Sequence, residues 1–187
     1  MITMKMNPQT SGRMDELFEQ FHNIHRELAD LWLNSIMDSW QLQMALVMVI
    51  VLWAVWFKFR RKDATGRLLL SGLFVLVIAS WFDFLGVSMG WWRYHMVELP
   101  TLPSFLLWDF TYLPITVMLL LQVKPQVNPW LKAVLFGGGV SMIGEPLFTW
   151  ADYYAPIVWH HYYSFPIYIV IYLGAHAISR TNRFAPL

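Results

Sequence analysis

Residues 130–150 read WLKAVLFGGGVSMIGEPLFTW. Wound as an α-helix at about 1.5 Å per residue, this run is about 30 Å long, the thickness of the hydrocarbon core of a bilayer. Only Lys132 and Glu145 in it carry charge. So apolar a stretch reads as a membrane span, and the acid near its far end as a residue turned away from lipid. Four similar runs lie around it: roughly Trp40 to Phe59, Arg67 to Gly86, Ser104 to Val123 and Ile157 to Ser179. The expected fold class is therefore all-α, an integral membrane bundle of five transmembrane helices over 40–180. An extracytoplasmic segment (1–39) precedes it and a cytoplasmic tail (181–187) follows. Pro114, Pro146 and Pro166 fall inside spans, where each removes a backbone hydrogen bond and opens space between helices.

Composition agrees with this reading. Of the 187 residues 57% are apolar and 13% charged, and the mean hydropathy is +0.45, outside the balance of soluble proteins. The absence of cysteine excludes disulfides, thiolate catalysis and cysteine-bound metals. A net charge of +1 gives no reason to expect nucleic acid. The first forty residues hold no signal-peptide pattern and neither end a lipidation motif, so the first span is expected to direct insertion.

Charge sets the expected orientation. The connection KFRRKDATGR (58–67) packs five of the thirteen basic residues beside the membrane. With alternating spans Lys124, Lys132, Arg180 and Arg183 fall on the same side, and the opposite loops offer only Arg93. The positive-inside rule then puts the N-terminus outside and the C-terminus in the cytoplasm. Before the first span, Asp15, Glu16, Glu19, Glu27, Asp30 and Asp38 outnumber Lys5, Arg13 and Arg26. There Leu17, Phe21, Ile24, Leu28 and Leu31 recur at spacings of four and three, the pattern of an amphipathic helix at the interface or capping the bundle.

Three acids lie within apolar spans, Asp83, Asp109 and Glu145. Alternation of the spans brings all three to one level, roughly 5 to 10 Å below the outer surface at helical rise. Reversing the topology would move them together. In the second span Gly72, Ala79, Asp83, Gly86 and Gly90 follow helical spacing, and in the fourth Gly137, Ser141, Glu145 and Thr149 are four apart. Each acid thus sits on a stripe of small residues that lets another helix approach. In the third span Phe105, Asp109, Tyr112 and Thr116 form a mixed face. WHHYYSFPIY (159–168) brings histidines, tyrosines and a serine to the same level.

Buried carboxyls that stay protonated can give a proton to an apolar substrate, and aromatic faces stabilise the resulting cation by about 0.5–2 kcal/mol each. The expected function is accordingly a membrane-embedded, acid-initiated enzyme of the terpene cyclase or isomerase type, acting on an isoprenoid or related lipid. Glu145 is the first choice of acid, with Asp109 and Asp83 beside it. Trp81, Trp91, Trp92, Tyr94, Trp108, Tyr112, Trp150, Trp159, Tyr162, Tyr163, Tyr168 and Tyr172 are candidates for the substrate wall. Arg93, His160, His161 and Ser164 would give polar support. No cofactor and no metal are expected: His160 and His161 point about 100° apart on a helix and make a poor ligand pair. No DDxxD-like metal–diphosphate signature is present. The expected partners are a hydrophobic small molecule or lipid and the membrane itself.

Blander readings use the same residues. Interfacial belts collect Trp and Tyr in any membrane protein, and a buried acid can act as a hydrogen-bonded pin between helices. A carrier or receptor for a small solute or lipid, or a structural membrane protein, are the alternatives.

The ordered set Asp83-x-x-Gly86, GWWRY (90–94), WDFTYLP (108–114), GEP (144–146) with Trp150, and YYSFPIY (162–168) resembles a family of small five-span integral membrane proteins known chiefly from spore-forming bacteria. The likeness runs from about Trp32 to the end of the fifth span. It implies the five-span fold and a bacterial cytoplasmic (inner) membrane, and supplies no activity.

Overall fold

A computed structural model of the chain describes residues 7–96, 99 and 105–181. Lys5, Ser104, Arg183 and the tail after residue 181 lie outside the described residues. The protein is all-α apart from one small sheet, and five long helical rods follow an N-terminal helix.

Helix α1 (Pro8–Leu31) starts on Asn7, whose side chain accepts from the Gln9 amide, and passes into a π-helical turn, Trp32–Ile36. No residue of α1 is buried, and Leu17, Phe21, Ile24, Leu28 and Leu31 are all exposed. The first rod, α2 (Trp40–Phe59), is capped by Ser39 and ends at Arg60. After a 3-10 turn at Lys62–Ala64 comes α3 (Thr65–Ser88). The third rod, Leu106–Gln122, is a π-helical segment, Leu106–Tyr112, continued by α4 (Leu113–Gln122). The fourth, Pro129–Trp150, joins α5 (Pro129–Gly139), a π turn Val140–Gly144 and α6 (Glu145–Trp150). The fifth is α7 (His161–Ser179).

Three of these, Trp40–Phe59, Lys62–Ser88 and Pro129–Trp150, are long and apolar enough to cross a membrane; Leu106–Gln122 is apolar and shorter. Their outward faces are apolar too, with Ile50, Leu135, Ile143 and Val170 all exposed. That is the inverse of a soluble helix, and suits a chain whose surroundings are hydrocarbon.

Two of the three span prolines, Pro114 and Pro146, follow π turns, and Pro166 sits inside the first turns of α7. Proline has no N–H, so Pro114 leaves the Phe110 carbonyl, and Pro146 the Met142 carbonyl, without the usual α-helical donor. In both rods a widened turn lies directly before or within two residues of the proline, and a carboxyl sits in it or at its end: Asp109 and Glu145. π turns cost hydrogen-bond regularity and are concentrated at functional sites.

Rod packing puts α3 against α4 and α7, and α5 against α7, with α2 on the Leu106–Tyr112 segment. Two connections meet at one end of the bundle. Strand β1 (Trp92–Tyr94), between α3 and the third rod, pairs antiparallel with β2 (Tyr154–Pro156), between α6 and α7. The sheet has a consequence for the fifth rod. Residues 157–160, expected to be its first helical turn, are irregular, and the Ile157 and Val158 amides instead donate to the Trp91 carbonyl at 2.9 and 3.1 Å.

Candidate functional site

Beneath this sheet lies a cavity of about 60 Å³, and all three buried acids line it. Asp109 is fully buried and Asp83 and Glu145 are 6% exposed. They come from three different rods, so the cavity exists only in the assembled bundle.

Two clusters can be distinguished. Asp83 accepts hydrogen bonds from the Tyr94 hydroxyl at 2.7 Å to each carboxyl oxygen, and the Asp109 carboxyl lies against it within hydrogen-bonding reach. Burial, and then the neighbouring Asp83, hold the Tyr94 phenol well above its usual value, so Tyr94 remains a donor. Glu145 accepts from the Tyr168 hydroxyl at 2.9 Å on Oε1 and meets His161 Nδ1 at 3.0 Å on Oε2. The Tyr168 hydroxyl in turn accepts from the Trp108 indole N–H at 3.3 Å. Ser164 stands beside Glu145 and receives the Trp159 indole N–H at 2.9 Å.

Aromatic rings close the remaining wall. Tyr94 stacks on Phe105 at 5.3 Å between centroids, and Trp108 meets Phe148 edge-on at 4.7 Å. The roof is Trp91, Trp92 and Trp159, with Trp91 stacked on Trp159 at 5.3 Å. Trp92 reaches its place because residue 86 is glycine: a Cβ there would lie 2.0 Å from the indole ring. Gly137 does a similar service on the other side, where an added Cβ would come within 3.0 Å of the Phe165 carbonyl oxygen. Both belong to the small-residue stripes, whose members Gly72, Ala79 and Ser141 are also buried.

Of the residues singled out from sequence, Asp83, Asp109, Glu145, Trp92, Tyr94, Trp108, Trp159, Ser164 and Tyr168 line the cavity, and His161 is bonded to Glu145. Trp91 stands one ring behind, on Trp159. Tyr112 stacks on Trp108 at 5.0 Å, and Tyr172 is fully buried beside Phe136. The structure sets others apart. Trp81 is 60% and Trp150 83% exposed, and Tyr162, Tyr163, His160 and Arg93 are exposed as well. Phe105, Phe148 and Tyr154 line the cavity without having been singled out for its wall. Tyr154 is held there by β2, and its phenol is pushed up by burial and by Glu145 and Asp83. Among the described residues no group of three or more His, Asp or Glu side chains is placed to hold a metal ion.

Among the lining residues Phe82, on α3, is exposed, and Tyr94, Phe148, Trp159 and Ile167 are half-buried. Comparison with protein-family models, with curated proteins and with solved structures finds no match to this chain.

Proposed function

We propose that this protein is a membrane-embedded acid catalyst that isomerises or cyclises the unsaturated end of an isoprenoid or related lipid. The observation that carries the reading is the set of three carboxyls from three rods around one aromatic-walled cavity. A lipophilic substrate would enter between α3 and α7, past Phe82 and Ile167. About 60 Å³ is less than the roughly 150 Å³ that a benzene occupies in an engineered cavity. The cavity therefore takes a short branched end, and the rest of the chain stays between the helices.

The hydrogen bonds suggest a division of labour. Two carboxyls in contact need a proton between them, and Asp83 already accepts the one Tyr94 O–H, shared between its two oxygens, so Asp109 is the proton carrier. Its O–H adds to the substrate double bond: the π pair forms a C–H bond, and the adjacent carbon becomes cationic. The faces of Trp108, Trp92 and Phe105 stabilise that cation. Glu145, fed by Tyr168 and His161, is the carboxylate that accepts the proton lost when the new double bond forms. His161 is half-buried and bonded to Glu145, so the proton Glu145 takes can leave to solvent through the imidazole, while Asp109 takes one proton up again from solvent in each cycle. Atoms balance without a co-reactant.

This reading includes five crossings of a bacterial cytoplasmic membrane, supported by the five rods, the apolar outer faces and the family resemblance noted above. The basic connections then face the cytoplasm, and the sheet, the N-terminus and α1 face outward, with α1 lying on the interface.

The small volume also favours a second reading, in which the carboxyls and rings hold a small organic cation that the protein carries or senses. One experiment separates them: organic extracts of cells supplied with an isoprenoid pathway and expressing wild type, Asp109→Asn or Glu145→Gln at matched levels. A cyclised or isomerised product in wild type alone supports catalysis. Identical extracts, with a methylammonium-type cation bound by wild type and lost in Glu145→Gln, replace it with the second reading.

A further inference from the structure

We infer that the other end of the bundle holds a binding site for a phosphate-bearing ligand. A second cavity, about 300 Å³, opens there and is lined by Arg61, Arg67, Lys132, His176 and Arg180, with one acid, Asp63. The cations come from four separate places in the chain: the connection after α2, the first turn of α3, α5, and the end of α7.

Loops rich in Lys and Arg follow from the positive-inside rule alone, and such residues normally point into water. Here they converge. Arg61 and Asp63 satisfy each other at 2.6 Å, which cancels one charge of each sign. Three full cations remain. Lys132 is buried and donates to the carbonyls of Leu120 and Val123, at 2.7 and 2.5 Å, which orders its ammonium at the end of α4 and leaves one of its three protons. Arg180 donates one N–H to the Pro125 carbonyl at 2.9 Å and keeps the rest of its fork. Among the described residues Arg67 has no acid partner and its guanidinium no hydrogen bond. Three like charges around one void repel each other unless an anion enters, and two guanidinium forks with an ammonium match the oxygens of a phosphate.

The volume is larger than a bare phosphate requires and accommodates a phosphorylated polyol. The bearer is either the head group of an anionic phospholipid or a soluble phosphate. The wall favours neither by charge, since apolar Leu68, Leu121 and Val127 lie beside the cations.

The test uses the purified full chain in neutral detergent. Inorganic phosphate is titrated against thermal unfolding at constant ionic strength, and retention of phosphatidylglycerol against phosphatidylcholine is read by native mass spectrometry. Wild type is expected to respond saturably to at least one probe. Arg67→Gln and Arg180→Gln should each weaken the response about fivefold or more, as loss of a charge-assisted hydrogen bond implies. Arg93→Gln, at the opposite end, should not. Retention of phosphatidylglycerol without a phosphate response identifies the lipid head group, and response to phosphate identifies a soluble ligand or its competitor. No saturable response to either probe, or responses that both substitutions leave at wild-type strength, overturns the site.

Discussion

The two ends of this bundle bury charge in opposite ways. At one end three carboxyls surround about 60 Å³ and are met by hydroxyl, imidazole and carboxyl partners from other rods. At the other, cations surround about 300 Å³ and are met mainly by backbone carbonyls. At the acidic end each carboxyl meets side-chain partners from other parts of the chain. The basic end is under-compensated and gains from a ligand. Chemistry on a neutral substrate suits the first, and capture of an anion suits the second.

The contrast can be broken most sharply at the acids. Asp109→Asn and Glu145→Gln are expected to lower product formation by about 10²- to 10⁴-fold, the usual loss when a general acid or base is removed. Both should elute as the wild type does in detergent, because an amide keeps the shape of the carboxyl and one acceptor oxygen, and at Glu145 the His161 ring can accept from the new N–H in its other tautomer. Loss of folding in both would make the acidic end a structural pin. Gly86→Ala comes next: the methyl collides with the Trp92 indole and should cost about 1–3 kcal/mol in unfolding. Adding Trp92→Ala should return part of that loss, a coupling read by a double-mutant cycle. Tyr168→Phe removes a hydroxyl that both donates to Glu145 and accepts from Trp108, and should cost about 1 kcal/mol and several-fold in activity. The smallest effect belongs to His95→Ala. Its partner Asp152, at 2.7 Å, is an exposed surface group, and the change should stay below about 1 kcal/mol and shrink further in salt.

Much of the acidic end could be read from residue spacing. Asp83, Asp109 and Glu145 meet because consecutive antiparallel rods return each to one level, and helical spacing alone put Gly86 and Ser141 on the same faces as their acids. Apolar runs fixed where the rods lie. What spacing could not show was how they begin and end. The run from Ile157 has the spacing of one helix, but α7 starts only at His161, because the Ile157 and Val158 amides, next to β2, are taken by the Trp91 carbonyl beside β1. Such pairing is long-range and carries no period in a three-residue strand. The π turns are hidden for a related reason: proline reports a missing donor, and only packing decides whether the rod kinks or widens. Trp81 and Trp150 show the limit for aromatics, because a Trp at the level of a cavity and one facing away from it have the same local sequence. The basic cavity has no signature in the sequence, because Lys and Arg beside a span mark orientation whether or not they converge, and convergence of Arg67, Lys132 and Arg180 depends on the side-by-side packing of α3, α5 and α7.

The three-residue sheet constrains how the rods can move. Trp92 is registered with Pro156 and Tyr94 with Tyr154, and the Tyr153 hydroxyl donates to the Gln41 carbonyl of α2 at 3.0 Å. Those ties join the connection after α3 to the connection before α7, and both to α2, like a knot drawn across one mouth of a bag. Rods held at one end swing as levers about that end. A ligand wedged among the cations of the far mouth would then spread α3 from α7 with the largest displacement near itself and the least at the sheet. Phe82 and Ile167, each fewer than two turns from the sheet end of its helix, would move little.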